Sequence, residues 1–470
     1  MIERILAGVF LSASLVEAKL NIIYINADDL GVMDVGFNSA RYHTPNIDRL
    51  RAEGMLFTDA YAPAANCAPS RAACMSGQFS PRTGVYTVGS SSRGKSEQRK
   101  LIPIKNTLHL APDNLTLPAA LQAGGYRTIH LGKWHVGSDP LKQGFDVNIG
   151  GDATGSPAGG YFVPFKRGSM AHYDSQYPKG THRADIFADE AIKFLQKKSD
   201  KPFFMHMAFY LVHGPLQKVP DLVGKYEGKK NLNAAYASMV EKMDQCIGRI
   251  LDELDAQGLK NNTLVLFTSD NGGICKTSNQ TPFRAGKGSY FEGGIREPLV
   301  VRWPRKVKPN STCSVPVIGI DFYPTFLEVA GLKVPKDKVL DGESLVPLLT
   351  QSGSIPERTL FWHFPIYLQK YAGVEDDSHD ALFRTRPGSV LRHGKWKLHE
   401  YFENGTIELY DLSSDLGERK NIAKSHPEKT AELLKELKDW QTQMKAPIPT
   451  QLNPDYDPTA KPKSRKKRKK

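Results

Sequence analysis

The chain has 470 residues, 40% of them hydrophobic and 24% charged, and a formal net charge of +13. These values fit a globular protein of about two domains and exclude a solenoid, since no internal period is visible. They also exclude a membrane-embedded bundle and a disulfide scaffold: no apolar run reaches spanning length, and the five cysteines are few and include no Cys-x-x-Cys pair.

The elements follow in chain order. Met1-Ile2-Glu3-Arg4 and the apolar run Ile5 to Val16 precede Val16 and Ala18, which have the spacing of a signal-peptidase site. Residues 1–18 therefore read as an export signal, too short to cross a bilayer, with the mature chain beginning near Lys19. Leu20 to Asn26 is a nearly continuous apolar run, the pattern of a strand buried on both faces, and Asp28 and Asp29 follow it directly. Pro45 to Glu53 reads as a helix between Thr44 as cap and Gly54 as stop. Leu117 to Gln122, ended by Gly124-Gly125, is a second helix; it leads into a strand over Tyr126 to Leu131 and then Gly132-Lys133-Trp134-His135. A third unit runs from a helix over Asp189 to Lys197 through a strand, Phe203 to Tyr210, to His213-Gly214-Pro215. The fourth has an amphipathic helix, Ala234 to Gln257, a strand over Thr263 to Thr268, and Ser269-Asp270-Asn271-Gly272-Gly273.

This alternation predicts an α/β fold with a mostly parallel central sheet, in which ligands sit beyond the carboxyl ends of the strands. Four strands each deliver chemically capable residues at that rim: Asp28 and Asp29, Lys133 and His135, His213, and Asp270 with Asn271. Taken singly, the Asp-Asp pair is also a capping turn, Asp-Asn-Gly-Gly is also a turn, and a lone histidine is more often structural. Together, Asp28, Asp29, Asp270 and Asn271 supply four oxygen-bearing side chains and no soft ligand. That set suits calcium or magnesium rather than zinc.

Pro316 to Leu332 reads as a strand-helix return of the main domain, and a Gly/Ser/Pro linker follows near Ser352 to Pro356. Beyond it, strand patterns at Ser389 to His399 and Thr406 to Tyr410 and a helix over Pro427 to Met444 predict a small α+β domain. His363 and Arg384 to Arg386 lie there, either near substrate or in a solvated loop. The division expected is a catalytic domain over 19–350, a C-terminal subdomain over 351–450 and a disordered basic tail over 451–470. Eight of the positive charges fall in Lys461 to Lys470, which leaves +5 for the rest. Such a run is either a solubilising terminus or a tether to polyanions.

Cys67-Ala68-Pro69-Ser70-Arg71, followed six residues later by Gly77, carries the most specific signal. By itself Cys67 also has a plainer reading, as a small buried hydrophobe in a turn set by Pro69. The segment resembles the signature of the formylglycine-dependent sulfatases of the alkaline-phosphatase superfamily, with Ser76 where that family usually has threonine. The resemblance continues through the Gly-Lys-Trp-His segment, the His213-Gly214-Pro215 segment, Arg284-Ala285-Gly286-Lys287-Gly288 and the stretch Gly286 to Pro304, and resumes near Leu409 to Leu412. It implies an alkaline-phosphatase-like large domain beside a smaller one with an antiparallel sheet. It implies that a formylglycine-generating enzyme converts Cys67 to an aldehyde, and that Asp28, Asp29, Asp270, Asn271 and residue 67 bind one Ca²⁺, Mg²⁺ being the less suited ion.

By the same resemblance, Lys133, Lys287 and Arg71 hold the sulfate, and Asp270 assists a hydroxyl of the aldehyde hydrate in attacking sulfur. His213, with Lys287, protonates the leaving oxygen, and His135 deprotonates the second hydroxyl so that sulfate is expelled; spacing alone does not choose between the two histidines. The function implied is hydrolysis of sulfate monoesters on a sulfated polysaccharide or oligosaccharide, by an exported, periplasmic or secreted enzyme with no nucleic-acid partner. Two alternatives stay open: a phosphodiesterase or phosphonate monoester hydrolase of the same superfamily, and an inactive relative that binds sulfated glycans. A P-loop at Gly286-Lys287-Gly288-Ser289 is excluded, because its first glycine would fall on Thr281. Substrate choice is expected to rest on the loops Gly150 to His172 and Ala372 to Arg386.

Overall fold

Asn21–Ala27 (β1) is buried along its whole length, and its side chains alternate between two separate cores. In the computed structural model, which describes residues 19–371, 374–378 and 380–460, β1 sits at the centre of an eight-stranded sheet. The other strands are Met55–Phe57 (β2), Arg127–Gly132 (β3), Val147–Ile149 (β4), Phe203–Ala208 (β5), Thr263–Ser269 (β6), Leu299–Arg302 (β7) and Ser311–Cys313 (β8). Their order is β4-β3-β5-β1-β6-β7-β2-β8. The run from β4 to β6 is parallel, and β7 is antiparallel to both its neighbours.

Ile23 and Ile25 face a layer built from helices Pro45–Glu53 (α1), Arg183–Gln196 (α4) and Ala234–Ala256 (α5). Ile22 and Tyr24 face the opposite layer, formed by Cys67–Ser76 (α2), Leu117–Ala123 (α3) and Phe322–Val329 (α6). A strand covered on both faces has to be apolar throughout, which is why the run reads as it does in the sequence. The helix expected from Asp189 begins earlier, at Arg183, because the buried ring of His182 caps it by accepting the Ala184 N–H. Histidine is an uncommon cap, so the sequence gives little sign of that start.

A second sheet holds Thr359–Phe364 (β9), Gly388–His393 (β10), Trp396–Tyr401 (β11) and Thr406–Asp411 (β12), all antiparallel in that order. The single strand expected over Ser389 to His399 is a hairpin, turned at Gly394, whose φ is +53°. Helix Pro427–Gln443 (α7) covers one face with Leu433, Leu437 and Trp440 against Leu391, Leu398 and Leu409. The export segment 1–18 and Lys461 to Lys470 lie outside the described residues. The disordered tail expected from 451 is corrected in part: residues 451–460 pair with the large domain. Leu452 bridges to Leu101, and Asn453 Nδ2 donates to the carbonyls of Ser96 and Arg99 at 2.8 Å.

A buried ionic network joins the two sheets. Lys397 on β11 is fully enclosed and sits 2.8 Å from Glu292 and 3.0 Å from Glu418. Glu292 also accepts from Arg296 at 2.7 Å and from the Tyr61 hydroxyl at 2.8 Å, while Arg392 on β10 reaches Asp59 at 2.6 Å. Removing Lys397 takes the ammonium from between two buried carboxylates, leaving Glu292 to Arg296 and Tyr61 and Glu418 to His399, with less positive charge to offset them. Lys397→Met is expected to cost about 3–5 kcal/mol of unfolding free energy, measured by urea titration; a cost below about 1 kcal/mol would show that the network does not hold the sheets together.

Candidate active site

The carboxyl ends of β1, β3, β5 and β6 open onto one place. Asp28 and Asp29 leave β1, Lys133 and His135 leave β3, His213 follows β5, and Asp270 and Asn271 follow β6. Cys67 arrives from the side as the first residue of α2, with Asn66 before it. Its Sγ, an Asp28 oxygen and an Asp270 oxygen lie within 4.8 Å of one another. Sequence reading had no sign that a ten-residue helix begins at Cys67 itself; the Pro69 that looks like a turn residue stands in the first turn, where proline is tolerated.

Three cations answer three carboxylates. Lys133 Nζ is 2.7 Å from Asp28 Oδ2, Lys287 Nζ is 2.5 Å from Asp29 Oδ1, and Arg71 Nε is 2.7 Å from Asp270 Oδ2. Arg71 also donates to the Lys133 carbonyl at 2.9 Å, and the Asp29 N–H donates to Asp270 Oδ1 at 3.2 Å. All of these side chains are buried. Asn271 Nδ2 donates to Asp29 Oδ1 at 2.8 Å. His213 fixes Nδ1 on the Gly214 carbonyl at 2.6 Å and places Nε2 3.8 Å from Asp29 Oδ2. Asp29, His135 and Ala285 all have φ near +60°, a conformation that costs free energy and that surrounding packing must enforce.

Burial pushes Asp28 up to about 7, against the pull of Lys133. Burial acts on Asp29 in the same sense, but the charges of Lys287 and His213 outweigh it and hold that carboxyl well below its usual range. For Cys67 too, burial is outweighed, here by the Lys133 and Lys287 ammoniums, so the thiol is lowered. His135 is held down at about 3, by burial first and then by Lys133 and Arg71, and is neutral at ordinary pH.

Asp28 Oδ1, Asp29 Oδ2 and Asn271 Oδ1 are buried with no hydrogen-bond partner. Orphaned carboxylate and amide oxygens are costly unless something positive meets them. With Asp270 beside them, they form an all-oxygen set that fits a hard divalent cation. His213 also falls into a possible ligand group with Asp28 and Asp29, but an imidazole is a poorer match to such an ion.

Above Cys67 lies a cavity of about 310 Å³ whose walls include Asn66, His135, His213 and Lys287. Arg384 reaches it, whereas His363 does not line it: His363 is a buried strand residue bonded to Ser389 and to the Pro447 carbonyl. Arg386 is tied to Asp380 and Glu403 instead. Of the lining residues, Gly155 and Ser156 fall in the Gly150 to His172 loop expected to choose substrate, whereas Val88, Arg93 and Tyr371 escaped sequence reading, because only tertiary folding brings their loops here.

The sulfatase family profile matches residues 20–332, and the profile of the N-sulphoglucosamine sulphohydrolase C-terminal region matches residues 286–446. The chain belongs to the sulfatase family. It is a sulfuric ester hydrolase, and similar proteins agree: a "Sulfatase" of Formosa agariphila is 34% identical over 487 aligned residues, 87% of this chain and 85% of the relative. N-acetylgalactosamine-6-sulfatase of Mus musculus is 32% identical over 373 residues, 73% of this chain and 68% of that protein. The crystal structure of Ps i-CgsB superposes with a TM-score of 0.74 at 30% identity, covering 90% of this chain and 92% of that one.

Gly155 gives a direct test of the His135 position. A Cβ there would stand 2.5 Å from the imidazole Cε1, so Gly155→Ala forces the ring to move. Should His135 take part in proton transfer, the expected effect is a fall in kcat of at least about tenfold, with the thermal midpoint nearly kept. Unchanged kcat would place His135 outside the chemistry.

Proposed function

We propose that this chain is an exported, calcium-dependent carbohydrate sulfatase whose nucleophile is formylglycine made from Cys67 by a formylglycine-generating enzyme. The observation that carries the reading is the juxtaposition of the Cys67 Sγ with the Asp28 and Asp270 oxygens. That sulfur stands where the hydroxyls of an aldehyde hydrate would stand after maturation. Export is supported by the apolar run ahead of Lys19 and is compatible with there being no described helix long and apolar enough to cross a membrane. A carbohydrate substrate is supported by the likeness to Ps i-CgsB, solved in complex with k-i-k-neocarrahexaose.

Asp28, Asp29, Asp270, Asn271 and residue 67 would hold the calcium, which would supply positive charge to a bound sulfate. The aldehyde hydrate contributes one hydroxyl to attack sulfur and a second whose deprotonation lets sulfate leave. The remaining work falls to side chains. Lys133 and Lys287 set ammonium groups against the sulfate, in a water-poor site where such charges act strongly. Arg71, clamped between Asp270 and the Lys133 carbonyl, holds the first turn of α2 and so orients residue 67. Asp270 accepts the proton of the attacking hydroxyl. His213, anchored through Nδ1, presents Nε2 to the departing alcohol oxygen and protonates it. Neutral His135, its Nδ1 without a hydrogen-bond partner, is ready to take the second hydroxyl's proton.

Two measurements test this. Protein co-produced with a formylglycine-generating enzyme should weigh about 18 Da less than its translated mature sequence, the mark of a thiol replaced by an aldehyde as covalent catalyst. Cys67→Ser should lose multiple turnover by roughly a thousandfold or more, as expected for loss of a nucleophile. Full turnover in that variant, or an active wild type with an unmodified thiol, contradicts the mechanism.

A further inference from the structure

Among the described residues, the cavity above Cys67 is lined by three basic side chains, Lys287, Arg93 and Arg384, and by no aspartate or glutamate. Lys287 is matched by Asp29. The other two have no carboxylate partner among the described residues. Arg93, half-buried, gives an Nη2 hydrogen to the Val88 carbonyl. Arg384 is only 7% exposed, lies 3.9 Å above the Tyr371 ring, and gives Nη1 to the Lys287 carbonyl at 3.3 Å. Burial, and then the nearby charge of Arg384, hold Arg93 below the ordinary range of a guanidinium.

The floor of the site already balances three carboxylates with three cations. A single sulfate ester is met by Lys133 and Lys287, so the two guanidiniums on the wall are surplus to it. Like charges brought together and partly desolvated are costly, and they persist where an anion binds between or beside them. Guanidinium forks suit the planar oxygen pairs of a sulfate or carboxylate. These two come from parts of the chain almost three hundred residues apart, so their meeting is a product of the fold.

We infer that the substrate carries a second anionic group, a sulfate or a carboxylate, on the sulfated sugar or on its immediate neighbour, and that Arg93 and Arg384 bind it. The inference rests on the sulfatase reading of the site and narrows its substrate class to multiply charged saccharides. Arg93 and Arg384 are specificity residues here: they meet the substrate away from the ester being cleaved.

The test compares sulfate release by the matured, calcium-loaded enzyme from four probes: 4-nitrophenyl sulfate, monosulfated carrageenan disaccharides, their disulfated counterparts, and sulfated disaccharides that contain a uronate. A doubly charged saccharide is expected to exceed singly charged ones by at least tenfold in kcat/KM. Preference for the disulfated probe identifies the second anion as sulfate, and preference for the uronate probe identifies it as carboxylate. Arg93→Gln and Arg384→Gln should each shrink that ratio severalfold, mainly through KM, and Arg→Lys should restore part of it; a structural role alone would not move the ratio. If Arg384→Gln does not fold, the half-exposed Arg93 carries the test. No preference in the wild type, or an unchanged ratio in the variants, overturns the inference while leaving the sulfatase reading intact. No release from any of the four probes defeats both.

Discussion

Three buried carboxylates, each held by one buried cation, form the constraint on which the site depends. Each pair ties together segments distant in sequence: Asp28 to Lys133, Asp29 to Lys287, and Asp270 to Arg71. Breaking one pair would strand a charge in a water-poor interior, at a cost comparable to a large part of a domain's stability. The pairs therefore fix the relative positions of the strand ends, of the loop bearing Lys287, and of helix α2 with Cys67 at its tip. In the function proposed above, the same charges serve the chemistry. A sulfate ester is anionic and its leaving group is poor, so a site that cleaves it needs fixed positive charge and placed proton donors and acceptors.

The second sheet takes part in this arrangement. Glu292, at the hub of the network with Lys397 and Arg296, lies five residues from Lys287 and ties the loop that carries it to β11. Arg384, beside β10, bonds the Lys287 carbonyl and closes one wall of the cavity. The antiparallel sheet thus supports the loop holding Lys287, while Arg384, on a separate two-stranded ladder of Phe383–Thr385 with Leu368–Gln369, supplies part of the cavity wall. Loops set on rigid sheets are a common location for specificity.

The parts of the site written as short runs after apolar strands were legible in the sequence: Asp28-Asp29, Lys133 with His135, His213 and Asp270-Asn271. A strand buried on both faces is conspicuous by its composition, and in a parallel sheet its carboxyl end marks where ligands bind. Lys287 and Arg71 were reachable only through resemblance, because nothing in their own segments forecasts that they pair with Asp29 and Asp270. Arg93 and Tyr371 gave no signal, and Gly155 was marked only as part of the Gly150 to His172 loop. Arg93 lies in a polar loop where arginine usually points to water, and the need for glycine at 155 comes from an imidazole twenty residues away. Residues 451–460 look like the start of a charged tail, yet hydrogen bonds to residues 96–102 hold them, and no local propensity encodes that contact.

The account turns on oxygens of Asp28, Asp29, Asp270 and Asn271 meeting beside residue 67 to hold one hard divalent cation. Calcium titration of the metal-stripped, full-length protein by calorimetry tests this most directly, with Asp28→Asn and Asn271→Ala beside the wild type. The account predicts one site per chain, weakened at least about tenfold in each variant, as loss of one ligand from a hard-cation site implies. Calcium binding of equal strength in all three proteins, or none in the wild type, would contradict it.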